Sequence, residues 1–479
     1  MKKIGIIAIV GIVLLVGGFF VARHLAIGFL TPEFLVQKIE EQWNCRAEVS
    51  GLKVRLLGKK SGLELFGVRL ATRDEFAEKG TPLAERPPME KVEVSVELAK
   101  LEVELGDLLK RRISIRQLLI KDVTINTRIR KNGRPSVQDL FESPRQTKIE
   151  SGEVKTADKA KETKPAAVKS EGGEGVVVQV NKGKEGFSAK DMGISTFADS
   201  VEMQNGSINA TIESGSSLLS LSNMQLKLSQ IEVDPSDLLK HNHAAFSFSG
   251  DLVVEDGEKK VKQISVSLAG DGEVRPFDPS SGKIDPSWVS NLTIKKGSTI
   301  NTFPMVDKLK ELLSGVDTAG VDLSDLQVGG VLTKDASTRL KGHAGKFLLE
   351  KNLALPLPDT DFVFARGCWL DAGANQHYLK GSVMASDALT AKLTKKVDSY
   401  LKKKAKNFYS DSLKDLVLQP AMRDGRIAFD FVSKGDLGKP KVDIITPFGN
   451  LTELIDQGKQ TIESLKDVGK SLLKGLFGK

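Results

Sequence analysis

The chain has 479 residues, with 70 Lys+Arg against 62 Asp+Glu, 28% charged and 40% hydrophobic residues. That length allows about three domains, and a charged fraction near the soluble average of about a quarter excludes wholesale disorder and a multi-span membrane protein. Aromatic residues are 6% and the net charge is only +8, which argues against a stacking platform for single strands and calls for no nucleic acid partner.

Lys2 and Lys3 precede an uncharged run from Ile4 to Ala22, through Leu14, Phe19 and Phe20, that stops at Arg23-His24. Nineteen helical residues span about 28 Å, close to the ~30 Å hydrocarbon core of a bilayer. A cleaved secretory signal has a shorter apolar core and a small-x-small exit. The best exit here, Ala26-Ile-Gly28, lies beyond two cationic side chains. The reading is an uncleaved single-span anchor with its N-terminus in the cytoplasm, because positive flanks resist translocation.

Thr31-Pro32-Glu33 is a helix start, and Phe34, Leu35, Ile39 and Trp43 continue at helical spacing. Cys45 and Cys368 are too far apart in sequence to form a disulfide framework or thiolate metal site. One bridge between them is possible in an oxidising compartment, and two buried thiols is the favoured alternative. Lys91 to Leu98 alternates valine with charge, the pattern of a strand with one wet face. Ile113 to Ile129 reads as a further pair of strands. Residues 143–175 then carry seven Lys+Arg, six Asp+Glu and no aromatic. Such a segment buries too little surface to offset its ordering entropy, so it is expected to be a disordered linker.

Strand patterns resume from Val176, with Asn205-Gly206 as a turn between two of them. Leu226 and Leu228 alternate with Lys227 and Ser229. Phe246, Phe248 and Leu252 follow on one strand, and Ile264, Val266 and Leu268 on another, between serines. Further strands are expected at 321–332, 338–349, 361–365, 378–385 and 426–432. Two helical patterns interrupt the strands. In 388–408, Leu389, Leu393, Val397, Tyr400 and Leu401 share a face opposite seven lysines. In 451–477, Leu465, Leu472 and Leu476 lie on an apolar face. Each is either a helix packed on the sheet or an amphipathic surface helix.

Chemistry-bearing motifs are sparse. None of the five histidines sits in HExxH, and His241-Asn242-His243 supplies at most two ligands and reads as a surface turn. Gly270-Asp-Gly272 is followed by Arg275, where a dinucleotide loop needs a small residue. Gly469-Lys470-Ser471 lies in a helical pattern rather than a strand–loop–helix. No G-x-S-x-G elbow is present. The chain therefore reads as non-enzymatic, with no cofactor and no metal site.

The ends of the sequence resemble AsmA-like proteins of the Gram-negative envelope. The resemblance rests on the single span, the helix from Thr31 to Trp43, Ala47-Glu-Val-Ser-Gly51 and the segment from Gly62 to Thr72. It continues through the strand at Lys91 to Leu98, Gly106-Asp107-Leu108-Leu109 to Asp122-Val123, and Asn132-Gly133-Arg134 to Asp139-Leu140. Pro135-Ser136 departs from the asparagine and aromatic common there. Near the other end, Asp424-Gly425-Arg426 to Ile444 resembles the family's terminal strand pair. Good resemblance covers residues 1–142 and 421–445. It implies an inner-membrane-anchored periplasmic β-structure, similar to bridge-like lipid-transfer proteins, whose apolar face shields acyl chains.

The resulting expectation is a mainly β protein, in which a transmembrane helix precedes a large curved, mostly antiparallel, groove-like sheet with a few amphipathic helices. Residues 1–30 form the cytoplasmic tip and anchor, 31–142 an α+β module, 143–175 the linker, 176–445 the main β-body and 446–479 an amphipathic helix. The expected function is to shield or move phospholipid and so support the outer membrane. Leu226, Leu228, Phe246, Phe248, Leu252, Ile264, Val266 and Leu268 line the groove. The expected partners are phospholipid, the inner membrane and envelope proteins. The alternative is an assembly factor that binds envelope proteins through a closed β-body, since alternation is the same in a groove and a sandwich.

Overall fold

The computed structural model of the chain describes residues 31–55, 61–104, 107, 112–131, 134–142, 144, 188–189, 195–213, 217–301, 329–371, 374–405, 409–436 and 440–445. The expected anchor with Ile4, Leu14, Phe19 and Phe20, the linker 143–175 apart from Pro144, residues 321–328 of the strand expected at 321–332, and the helix 446–479 lie outside the described residues. No described helix is long and apolar enough to cross a membrane.

Helix α1 (Pro32–Gln42) starts as its sequence dictates: Pro32 stands at the first position and Thr31 Oγ1 accepts from the Phe34 amide. Strands β1 (Cys45–Arg55), β2 (Ser61–Thr72), β3 (Val94–Glu104) and β4 (Arg112–Ile129) follow, with the short helix α2 (Glu75–Lys79) after β2. A 3-10 turn, Ser136–Phe141, closes this part. Then come β5 (Ser195–Ile212), β6 (Ser217–Val233), β7 (Asn242–Asp256), β8 (Val261–Phe277), β9 (Ile284–Ile294), β10 (Thr299–Ile300) and β11 (Gly330–Val331). The remainder is β12 (Ala336–His343), β13 (Lys346–Leu349), β14 (Leu353–Pro356), β15 (Thr360–Phe364), β16 (Trp369–Asp371), β17 (Gln376–Ala385), α3 (Asp387–Ala405), α4 (Asp411–Leu418), β18 (Met422–Arg423), β19 (Arg426–Asp436) and β20 (Lys441–Ile445).

These strands form one mixed sheet. Hydrogen-bonded neighbours run from β1 to β9 in sequence order, then through β12, β13, β16, β17, β19 and β20. At about 4.8 Å per step the run has a contour on the order of 65 Å. All pairs are antiparallel except β4–β5, which is parallel, so the sheet continues across the 143–175 segment. Among the described residues the sheet does not close, because β1 and β20 pair along one edge only.

The strand expected at 338–349 is a hairpin, β12 and β13, turned at Ala344 (φ 50°) and Gly345 (φ 80°), and two other expected features take a different form. The segment from Ile113 to Ile129 is one strand, β4, rather than two, and Asn205-Gly206 lies inside β5 rather than in a hairpin turn. The reason is the same in both. Asp122 (φ 53°) and Asn205 (φ 56°) take up the left-handed conformation as isolated irregularities within continuous strands, and the Asn205 amide donates to Asp122 Oδ1 at 2.6 Å. Asn223 (φ 51°) does the same in β6, where the register with β5 and β7 shifts. A turn residue thus supplies a bulge, which adds local bend and twist.

Two hydrophobic clusters hold the ends of the sheet. The first joins β1–β5 with α1 and the 3-10 turn, through Val36, Val137 and Leu140. A buried ion pair fixes α1 there: Arg86 donates to both oxygens of Glu40 at 2.6 and 3.1 Å, and the Ala47 amide donates to Glu40 Oε1. Breaking one partner of such a pair costs about 3–5 kcal/mol. The second cluster packs α3 and α4 against β15, β17 and β19 and reaches Val266 in β8. Cys45 and Cys368 are both buried and unbridged. Burial, reinforced by nearby Glu40, pushes the Cys45 thiol up to about 12, far from the range of a nucleophile.

Candidate functional site

One face of the sheet is apolar along its whole run, and the register shows it strand by strand. Leu65, Ala99, Ile120, Met203, Leu226, Phe248, Gly270, Leu292 and Thr338 stand opposite one another in successive strands from β2 to β12. A parallel row takes Leu63, Leu101, Leu118, Val201, Leu228, Phe246, Gly272, Ser290, Leu340 and Leu349. A third starts at Ala244 and passes Val274, Trp288, Gly342, Phe347 and Leu370 to His377.

Burial changes along these rows. Leu63, Ala99, Leu101, Leu118, Ile120 and Val201 are buried in the first cluster. From Met203 the large apolar side chains are only partly buried: Leu226, Leu228, Phe246, Phe248, Trp288, Leu292, Leu340, Phe347, Leu349 and Leu370. The small residues Ala244, Ser290 and Thr338 of these rows stay buried, and at the far end His377 is buried too, its Nε2 2.7 Å from Ser433 Oγ. Helix α1 packs on β1, and α3 on β17 and β19, so the described helices cover the two ends and not this middle strip.

The strip carries a chain of aromatic rings in contact with one another. Phe248 stacks on Phe246 with centroids 6.2 Å apart, Trp288 meets Phe246 edge-on at 6.5 Å, and Phe347 meets Trp288 at 5.7 Å. Each of the first three rings lies over a glycine in the next strand. A methyl group on Gly270 would stand 2.6 Å from Phe248 Cε1, and one on Gly342 would stand 2.0 Å from Trp288 Cε2. Glycine at these points lets the rings fold down and keeps the surface low.

The opposite face is wet. Asn209 donates to Asn126 Oδ1 at 3.1 Å and accepts from Ser220 Oγ at 3.1 Å, a polar ladder across β4, β5 and β6. Asp251 accepts from Asn223 at 2.7 Å and from Ser267 at 2.6 Å, and the Asn223 bond foremost holds its carboxyl below the usual range. Trp369 is also on this side, under the Lys346 ammonium at 4.4 Å.

All eight groove residues expected from the sequence share the apolar face, but they divide between two surroundings. Leu226, Phe246 and Phe248 belong to the partly buried strip that no described helix covers, with Leu228 at its border with the first cluster. Val266 is 5% exposed inside the second cluster, and Leu252, Ile264 and Leu268 pack against it. Sequence reading did not single out Trp288, Leu292, Phe347 and Leu370. The signal that would have found them is the glycine alternation at 270 and 272 opposite Phe248 and Phe246, which has meaning only once the strand register is known.

The histidine pair is not a simple turn. His241 Nδ1 lies 2.8 Å from Glu232 Oε1, and His243 Nε2 lies 3.9 Å from Oε2 of the same carboxylate. Asn242 between them is buried and exchanges two hydrogen bonds with the Phe277 backbone. Among the described residues no group of three His, Cys, Asp or Glu forms a metal site. Comparison with protein-family models, with curated proteins and with solved structures finds no match to this chain.

Proposed function

We propose that the chain is a non-enzymatic, AsmA-like envelope protein, held in the inner membrane by residues 1–30, that shields phospholipid acyl chains on the open strip. The observation that carries this reading is the partly buried run of rings and leucines from Met203 to Leu370, bounded by covered segments of the same face. A sheet with one apolar face requires a second layer, and a lipid tail can be that layer. At about 0.8 kcal/mol per CH₂, a chain of about 16 carbons gains on the order of 10 kcal/mol when fully shielded. The bulges at Asp122, Asn205 and Asn223 favour a bent sheet, which suits a groove. Transfer between membranes and support of the outer membrane follow from the family resemblance. The packed ends, where α1 and α3 close the same face, favour the assembly-factor reading for those segments.

Trp288 is a built-in reporter. In a Trp43→Phe, Trp369→Phe background, full-length protein loaded with phospholipid carrying brominated acyl chains should lose most of its tryptophan fluorescence relative to the unbrominated lipid. Undiminished Trp288 emission, together with no lipid found by mass spectrometry of the purified protein, would sink the proposal.

A further inference from the structure

Helix α3 spends its apolar side entirely on the core. Leu389, Leu393, Val397 and Leu401 are 5%, 1%, 0% and 0% exposed and all lie in the second cluster. The other side is a stripe of exposed lysines, Lys392, Lys395, Lys402 and Lys403, with Ser399 the other exposed residue between them. Within the stripe, Lys402 pairs with Asp398 at 2.7 Å, and Asp398, the one acidic residue beyond the first turn of α3, also accepts from the Tyr409 hydroxyl; five further lysines on α3 against these two acids, Asp387 and Asp398, keep the helix strongly cationic. Asp411, which opens α4, pairs with Lys414.

We infer that this stripe docks the α3 end of the sheet on an anionic phospholipid surface. The buried leucines leave α3 no apolar side to insert, so the contact is electrostatic and acts at the headgroups. The composition favours a lipid surface over the other polyanions. The exposed cations are lysines, without the guanidinium forks that grip individual phosphates in pairs. The one ring against them, Tyr409, is held at 5.1 Å from the Lys402 ammonium and by its hydroxyl on Asp398, which gives a single aromatic rather than the series of rings that stacks on successive bases. The position also matters. Helix α1 packs on β1 and α3 on β17 and β19, about 55–60 Å apart along the ladder contour, so the stripe sits far from the end that continues into the N-terminal segment. This inference does not depend on lipid occupying the strip.

The test uses full-length protein held in nanodiscs of phosphatidylcholine and mixed with larger vesicles, with binding read by flotation. Vesicles containing phosphatidylglycerol should carry the protein up, whereas pure phosphatidylcholine should not, and added salt should release it. The variant with Lys392, Lys395, Lys402 and Lys403 all changed to Gln should bind more than about tenfold more weakly. Changing the same four to Arg should retain binding. A melting curve for the Gln variant separates loss of charge from loss of fold. If that variant melts early, the salt response of the wild-type protein decides, and salt-insensitive flotation overturns the inference. Equal flotation of wild type and a folded Gln variant, or no effect of phosphatidylglycerol, also overturns it. Retention on duplex DNA that exceeds retention on the anionic vesicles reassigns the stripe to nucleic acid. Trp288 quenching by brominated lipid should be unchanged in the Gln variant, so failure here is distinguishable from failure of the acyl-chain reading.

Discussion

Val266→Asp and Leu226→Asp place the same carboxylate in two surroundings. At position 266 it enters the packed apolar cluster that holds Ile300 and Leu332. The cost should be about 3–5 kcal/mol, a large fraction of the stability of a typical domain. At position 226 the side chain borders solvent on the open strip, so water can hydrate the charge and the loss should be about 1 kcal/mol. Chemical denaturation of the two variants, read beside their lipid content, checks both halves. The expected result is an unstable Val266→Asp and a folded Leu226→Asp with less bound lipid. Equal destabilisation would mean that the strip is covered. Phe248→Asp should follow Leu226→Asp, with a further loss because its ring no longer seats on Gly270.

At the scale of elements, the parallel pair β4–β5 is the joint of the molecule. Its register runs from Arg112–Ser195 to Ile129–Ile212, and Ala198 and Val201 share a cluster with Ile115 and Leu118. The two strands are therefore held by a full ladder and a common core, independently of the covalent connection between them. A protease site inserted at about residue 160 and cleaved after folding should leave the two fragments together on size-exclusion chromatography without denaturant, and apart in it. Spontaneous separation in buffer would show that the parallel pairing is too weak to hold. The bulges act at the same scale. Asp122 and Asn205 are neighbours across β4 and β5, joined by their side-chain hydrogen bond, so one irregularity is matched by the next and the ladder resumes beyond both.

For the whole molecule, the sheet orders its parts along one contour: α1 at β1, the open strip over β6–β9, β12 and β13, and α3 with its lysines near β17 and β19. The proposed orientation puts all of this outside the cytoplasm. Lys2-Lys3 and the uncharged run from Ile4 to Ala22 motivate it, since a positive flank is retained while a long following domain is translocated largely regardless of its charge. Alkaline phosphatase fused to the C-terminus should be active, because it needs an oxidising compartment. An inactive fusion, paired with an active cytoplasmic reporter at the same position, would reverse the orientation.

The sequence by itself determined that the chain is mainly β and, for strands such as β6, β7 and β8, which side is apolar, because side-chain alternation has period 2 and needs no partner to be read. Phe246, Phe248, Ile264, Val266 and Leu268 were legible in this way, and so were the α1 start at Thr31-Pro32 and the two faces of α3. Only the tertiary structure decided what lies over each apolar side. Val266 and Phe248 have the same alternation, yet one is sealed in the second cluster with Ile300 and Leu332 and the other lies half-buried, because coverage depends on segments that arrive from farther along the chain. The same holds for Gly270, Gly272 and Gly342. A glycine in a strand pattern reads as a weakness until cross-strand register places Phe248, Phe246 and Trp288 above it, and register is set by long-range pairing rather than by local sequence.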